Sequence, residues 1–196
     1  MKDIIIASSN NHKIYEYKCI LEPLGYNILS LLDIDPNIDI IEDGITFEQN
    51  ALIKAKYLSN LLNKTVISDD SGLEIECLNN EPGIYSARYM GKDTSYDIKN
   101  NNLIDRVNNY TNRKCRYVCS IAIVNNNISE VFTGYMYGEI SKEPLGTNGF
   151  GYDPIFYTNI YNKTLAQLTD KEKNSISHRA NATKLLLEYL NEKNIK

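Results

Sequence analysis

No stretch of the chain approaches the ~20 apolar residues that a membrane-spanning helix requires. The opening apolar run, Ile4-Ile5-Ile6-Ala7, is too short for the core of a secretory signal. Cysteine is scarce: Cys19, Cys77, Cys115 and Cys119 are the only four, and their spacing matches no common zinc pattern. Each lies in an apolar stretch, so buried free thiols are expected, consistent with a reducing, cytoplasmic setting. Surplus positive charge is also lacking. The net charge of −4 and pI near 5.3 exclude the general basic surface of a nucleic-acid binder. Histidine occurs only twice, as His12 and His178, each beside a cation in a loop leading to a helix. Internal repeats and a clean linker are missing as well, so residues 1–196 are read as a single domain, the length of one large fold.

What is present is ordinary globular material, with 42% hydrophobic and 23% charged residues. Runs such as Asn100-Asn101-Asn102 and Asn125-Asn126-Asn127 are read as solvated turns. Ile4 to Ala7 reads as a buried strand. A polar turn, Ser8 to Asn11, follows, and then an amphipathic helix marked by Ile14, Tyr17, Leu21 and Leu24. Asn27 to Leu31 gives a second strand. Thr46 and Gln49 form a capping box that starts a helix with Phe47, Ala51, Ala55, Leu58 and Leu62 on its apolar stripe. Thr46, Asn50 and Lys54 recur every four residues on another face. Thr65 to Ser68 reads as a strand delivering Asp69-Asp70-Ser71-Gly72 to a turn, with Leu73 to Cys77 as the next strand. A helix is expected over about 94–109, strands over 116–124, 128–133 and 137–140, and a last helix over 177–190. Strands and helices alternate as in a mixed α/β fold.

Five segments could carry chemistry. Ser8-Ser9-Asn10-Asn11-His12-Lys13 lies between a strand and a helix, where backbone N–H groups and Lys13 would attract phosphate. It equally reads as a helix cap, and it lacks the glycines of a Walker loop. Asp69 and Asp70 are adjacent carboxylates whose joint ionisation calls for a cation or hydrogen-bond donors. Hard oxygens suit Mg²⁺, while an Asx turn remains the alternative. Glu42, upstream of the Thr46 helix, is uninformative alone, because the helix dipole favours acids there. Gly149-Phe150-Gly151-Tyr152-Asp153 could present an exposed ring for stacking on a base or form a plain turn. Lys173, His178 and Arg179 gather donors ahead of the last helix.

Together these segments resemble the inosine triphosphate pyrophosphatase family, also known for dITP/XTP pyrophosphatase activity. The stretches are Ser8 to Lys13 with Glu16, Glu42 to Ala51, Ser68 to Leu73, Pro82 to Tyr89, Gly149 to Pro154, and Ser177 to Arg179. Ser9, Gln49 and Leu145 stand where the family more often has Gly, Glu and Arg. The resemblance implies a single mixed-sheet α/β domain with two lobes around a central nucleotide-binding cleft, usually a homodimer. It implies hydrolysis of deaminated purine nucleoside triphosphates to monophosphate and pyrophosphate. Ser8, Ser9, Asn10, Asn11, His12 and Lys13 would then bind the triphosphate, with Lys54 reaching the same phosphates. Glu42 and Asp70 would hold Mg²⁺, Asp70 would accept the proton, and Asp69 would support it. Ser71 would touch substrate. Phe150, Gly151, Tyr152, Asp153, Lys173, His178 and Arg179 would surround the nucleoside. An inactive nucleotide-binding regulator and a pyrophosphatase of other modified nucleotides stand as the alternative readings.

Overall fold

The structure, a computed structural model, describes residues 2–35, 38 and 40–193. Its elements are β1 (Lys2–Ile6), α1 (Asn11–Leu21), β2 (Tyr26–Ser30), α2 (Leu31–Ile34), α3 (Phe47–Leu62), β3 (Val66–Ile75), β4 (Glu81–Pro82), α4 (Tyr96–Val107), β5 (Lys114–Asn125), β6 (Ile128–Ile140), β7 (Phe156–Thr158), β8 (Lys163–Thr164), α5 (Asp170–Ile176) and α6 (His178–Glu192). Among the described residues the sheet has eight strands in the order β2-β1-β3-β5-β6-β7-β8, with β4 paired to β3. β1 runs parallel to both β2 and β3, with Ile5 opposite Val66, whereas β3 with β4, β6 with β7 and β7 with β8 are antiparallel. The sheet is therefore mixed, as the strand and helix pattern implied.

The chain divides into two compact units. One comprises Met1–Asp70, Cys119–Gly134 and Arg179–Lys196; the other comprises Ser71–Val118 and Tyr135–His178. In the first unit, β3 separates two cores. Ile67 belongs with Ile6, Tyr17, Leu21, Ala182 and Leu186, so α1 and α6 lie on that face. Val66 belongs with Ile5, Ala51, Ala55 and Leu58, so α3 lies on the other. Alternate residues of a strand point to opposite faces, and this alternation sets the site that follows. In the second unit, Leu73, Ile75, Leu103, Tyr117, Tyr152 and Phe156 share one core.

Several boundaries differ from the sequence reading. The expected turn at Asp69-Asp70-Ser71-Gly72 is the middle of β3, which runs unbroken to Ile75, and Cys77 falls in a short 3₁₀ turn. Turn-formers break a strand by competing with its backbone for hydrogen bonds. Here the two aspartates have side-chain partners instead. The strands expected over 128–133 and 137–140 are one, β6. The helix expected over about 94–109 is α4, Tyr96–Val107, capped by Ser95. Thr46 caps α3 as expected, but Gln49 Oε1 accepts the N–H of Ile45, so the reciprocal half of the box is shifted by one residue. α5 was missed, although Thr169 and Glu172 make a full capping box. Cys115 and Cys119 are buried, but Cys19 is exposed, because it falls off the Ile14, Tyr17 and Leu21 face of α1.

Leu186 on α6 is fully buried in the core with Tyr17 and Ile67. Leu186→Ala is expected to cost about 2–5 kcal/mol. Urea unfolding would show this as a lower midpoint at unchanged slope; an unaltered midpoint would mean that α6 contributes little to this core.

Candidate active site

Asp69 is 1% exposed and faces α1 and α6. Its Oδ2 lies 3.1 Å from Lys13 Nζ and 3.0 Å from an Arg179 terminal nitrogen. Arg179, also 1% exposed, makes its second ion pair with Glu16, a buried carboxylate on α1. Two cations and two anions thus balance inside one unit. Cys119 contributes its Sγ 3.7 Å from Asp69 Oδ2. Burial alone would raise the Asp69 pKa, but Lys13, Arg179 and Lys54 outweigh it and hold the carboxyl well below the usual carboxylate range. Among the described residues, Asp69 Oδ1 is buried without a hydrogen-bond partner.

Asp70 points the other way, toward α3. Asn50 Nδ2 donates to its Oδ2 over 3.1 Å. One turn further along α3, Lys54 Nζ lies 2.7 Å from Glu42 Oε2. The Asp70 pKa moves opposite to that of its neighbour. Burial raises it, Lys54 and Lys13 oppose that, and Glu42 adds to the rise. Strand alternation eases the repulsion expected between adjacent carboxylates: Asp69 pairs directly with Lys13 and Arg179, Asp70 takes the Asn50 amide, and both feel Lys13 and Lys54. The two come out chemically distinct, one held down and one pushed up.

Ser8 to Lys13 lies where the sequence put it, between β1 and α1, and Ser9 to His12 are exposed. Asn10 is the cap rather than a loop donor. Its side chain accepts the N–H groups of His12 and Lys13 at 3.0 and 3.2 Å, while Ser8 Oγ accepts that of Asn10 at 3.2 Å. Those two helix-start amides are occupied, so the phosphate-attracting charge of this segment is chiefly that of Lys13. His12 sits in the first turn of α1 and not in a loop.

In the second unit the residues expected near a nucleoside converge on Asp153. Its Oδ2 accepts Lys173 Nζ at 2.7 Å and the Phe150 N–H at 2.9 Å, and the Tyr117 hydroxyl reaches Oδ1 at 3.4 Å. Gly149 has φ +73°, and a Cβ there would stand 2.1 Å from Asp153 Oδ2, so only glycine fits. Phe150 is half-buried, with Lys173 Nζ 4.8 Å from its ring centroid. Lys173 lies in α5, not in a loop. His178 opens α6 and stacks on Tyr117, which stacks on Phe156, each pair 4.6 Å apart. Tyr152 is buried, and its hydroxyl donates to Ser86 O at 2.6 Å, so it anchors the loop. Ser71 is half-buried on β3.

The structure thus groups Lys13, Asp69 and Arg179, then Glu42, Lys54 and Asp70, then Phe150, Asp153 and Lys173. Arg179, expected to read a base, is engaged with Glu16 and Asp69. Glu16 and Asn50 received no role from sequence. A charged residue beside the apolar positions of α1, and the four-residue recurrence of Thr46, Asn50 and Lys54, were the available signals.

Removing the Arg179 guanidinium leaves two buried carboxylates without that cation. Arg179→Met should cost about 3–5 kcal/mol in denaturant unfolding, and a loss below ~1 kcal/mol would show the ion cluster to be energetically idle. Asp70 behaves oppositely. A carboxyl whose folded pKa is raised destabilises the fold once pH exceeds that pKa. Asp70→Asn should therefore raise the melting temperature of the metal-free protein at pH 7. The gain should fade as pH falls through the raised folded pKa and be gone below ~3.9, where the carboxyl is protonated in both states. A lower melting temperature at pH 7 would contradict the assignment.

A model of the Ham1 family matches residues 4–189. The chain is 45% identical over 197 aligned positions to a Staphylococcus aureus protein named dITP/XTP pyrophosphatase, with both chains fully covered. A Staphylococcus epidermidis protein of the same name is 42% identical over 191 positions, 97% of each chain. Among solved structures, the Staphylococcus aureus Ham1 protein matches with a TM-score of 0.89 at 44% identity, covering 98% of this chain and 100% of that one. A HAM1 protein from Coxiella burnetii matches with the same TM-score at 36% identity and the same coverage. The six motifs and the mixed α/β fold thus agree with full-length relatives and with a family model spanning nearly all of the sequence: the chain belongs to the Ham1 family.

Proposed function

We propose that the protein hydrolyses deaminated purine nucleoside triphosphates, such as those of inosine, deoxyinosine and xanthosine, to monophosphate and pyrophosphate. The observation that carries this reading is the full-length similarity to proteins named dITP/XTP pyrophosphatase, and the placing of Asp69 against Lys13 and Arg179 and of Asp70 against Asn50 fits it. A general base needs a pKa drawn toward the working pH, whereas a purely electrostatic carboxylate needs to stay ionised. Asp70 is pushed up and Asp69 is held down. Pyrophosphate release requires attack at the α-phosphorus, so Asp70 orients the water and takes its proton. Asp69 holds Lys13 in place for the phosphates, and Lys54 on α3 serves the same charge. Positioning and neutralisation supply most of the acceleration in such transfers.

Glu42 and Asp70 offer hard oxygen donors suited to Mg²⁺. Among the described residues no set of three or more acidic, histidine or cysteine side chains forms a complete metal cage. Two carboxylates fit a cation that keeps waters and substrate phosphates as its other ligands. Bound there, Mg²⁺ would supply charge neutralisation to the triphosphate.

Base choice is proposed to follow from donors. Hypoxanthine and xanthine carry an accepting carbonyl where adenine carries a donating amine. His178 and Lys173 can donate, and Phe150 offers a ring for stacking. Arg179 only donates, but in this structure its terminal nitrogens serve Glu16 and Asp69, so a base carbonyl would have to replace one carboxylate. The remaining proposals are a homodimer in a cytoplasmic setting, without nucleic-acid partners. Among the described residues no helix is long and apolar enough to cross a membrane.

The test is pyrophosphate release across a panel of triphosphates with Mg²⁺. Each mismatched donor costs about 1–3 kcal/mol, so kcat/KM for the inosine, deoxyinosine and xanthosine substrates should exceed that for ATP by about a hundredfold or more. Asp70→Asn should lower kcat by at least about a hundredfold. Lys13→Ala and Lys54→Ala should weaken triphosphate binding far more than nucleoside binding. Tight binding without turnover would favour a regulator, and a preference for pyrimidine substrates would favour another house-cleaning pyrophosphatase. A sedimentation run at micromolar concentration that found only a 22.4 kDa species would refute the dimer.

A further inference from the structure

Asn50 is 1% exposed and uses both ends of its amide. Its Oδ1 accepts the backbone N–H of Gly44 at 2.9 Å, and its Nδ2 donates to Asp70 Oδ2 at 3.1 Å. Gly44 lies two residues beyond Glu42, whose carboxylate is held by Lys54 four positions further along α3. The same helix therefore grips the Glu42 segment at two points and the Asp70 carboxylate at one. The grip depends on close approach. A Cβ on Gly44 would stand 2.6 Å from Asn50 Oδ1, 2.8 Å from Gln49 Cβ and 3.0 Å from the Asn50 nitrogen.

We propose that Asn50 is a positioning residue that sets Glu42 and Asp70 in register for a divalent cation, an inference that rests on the metal reading of those two carboxylates. The amide suits the task for two reasons. It alone among side chains of that length carries both an acceptor for Gly44 and a donor for Asp70. It also orients the Asp70 carboxylate through a neutral hydrogen bond, adding no positive charge of its own; a lysine at this position would compete with a cation. Groups that hold ligands in this way commonly account for about 10–100-fold in metal affinity or activity.

The test uses the full chain stripped of metal and titrated with Mn²⁺, with free Mn²⁺ read by electron paramagnetic resonance and fold checked by melting in chelator. Asn50→Ala should weaken Mn²⁺ binding at least about tenfold. Gly44→Ala, which leaves the amide intact but pushes the segment away, should act in the same direction. In turnover, both should lower kcat more than they raise KM, since Asn50 is given no substrate contact. Glu42→Gln and Asp70→Asn serve as the reference for the metal reading. If these two lose Mn²⁺ while folded Asn50→Ala and Gly44→Ala bind it as wild type does, the positioning role is overturned and the metal reading stands. If wild type fails to bind Mn²⁺, or Glu42→Gln and Asp70→Asn bind it unchanged, the metal reading fails and the inference with it. Loss of fold in both Asn50→Ala and Gly44→Ala would assign Asn50 to the fold alone and likewise overturn the proposal.

Discussion

The rest of the first unit is arranged around one buried ion pair, Arg179 with Asp69. A guanidinium and a carboxylate, each 1% exposed, are costly to remove from water and are retained only if each is met by further charge. Glu16 meets Arg179 and Lys13 meets Asp69. The consequence is mechanical as well as electrostatic. Glu16 and Lys13 come from α1, Asp69 from β3 and Arg179 from the start of α6, so the charge balance fixes three elements against one another within the unit. It also brings a lysine next to a carboxylate that cannot leave its ionised form at ordinary pH.

Strand geometry turns that single pair into two chemical environments. Because β3 continues through Asp70, the next carboxylate is turned toward α3, whose buried polar positions supply Asn50 and Lys54 rather than an arginine. The continuous strand lets one stay low while burial raises the other. The division of labour proposed for hydrolysis follows from this difference, which two residues of identical chemistry acquire only from the faces they occupy.

Much of this was legible in the sequence, for identifiable reasons. Apolar spacing gave α1, α3 and α6, each with one buried stripe, and the continuous apolar run gave the first strand, which is buried on both faces. Motif order gave the family. What was not legible is what depends on contacts between distant segments. That Asp69-Asp70-Ser71-Gly72 is strand and not turn depends on partners from α1, α3 and α6. That Arg179 is matched by Glu16 depends on a pairing across 163 positions. α5 was hidden by brevity, although the Thr169 and Glu172 box was readable and Lys173 itself stood among the candidate donors. The convergence of Lys173 and Phe150 on Asp153 required the positive φ of Gly149, which a glycine permits but does not announce.

The central claim is that two adjacent aspartates on β3, facing different partners, have their pKa values displaced in opposite directions. Carbon-13 resonances of the aspartate carboxyls in metal-free protein, followed with pH and assigned with Asp69→Asn and Asp70→Asn, test it most directly. The account predicts that the Asp69 signal stays that of a carboxylate down to the most acidic pH at which the fold survives, while Asp70 titrates above the ordinary ~3.9 of an aspartate. Asp69 taking its proton before Asp70, or both titrating near the ordinary value, would contradict it.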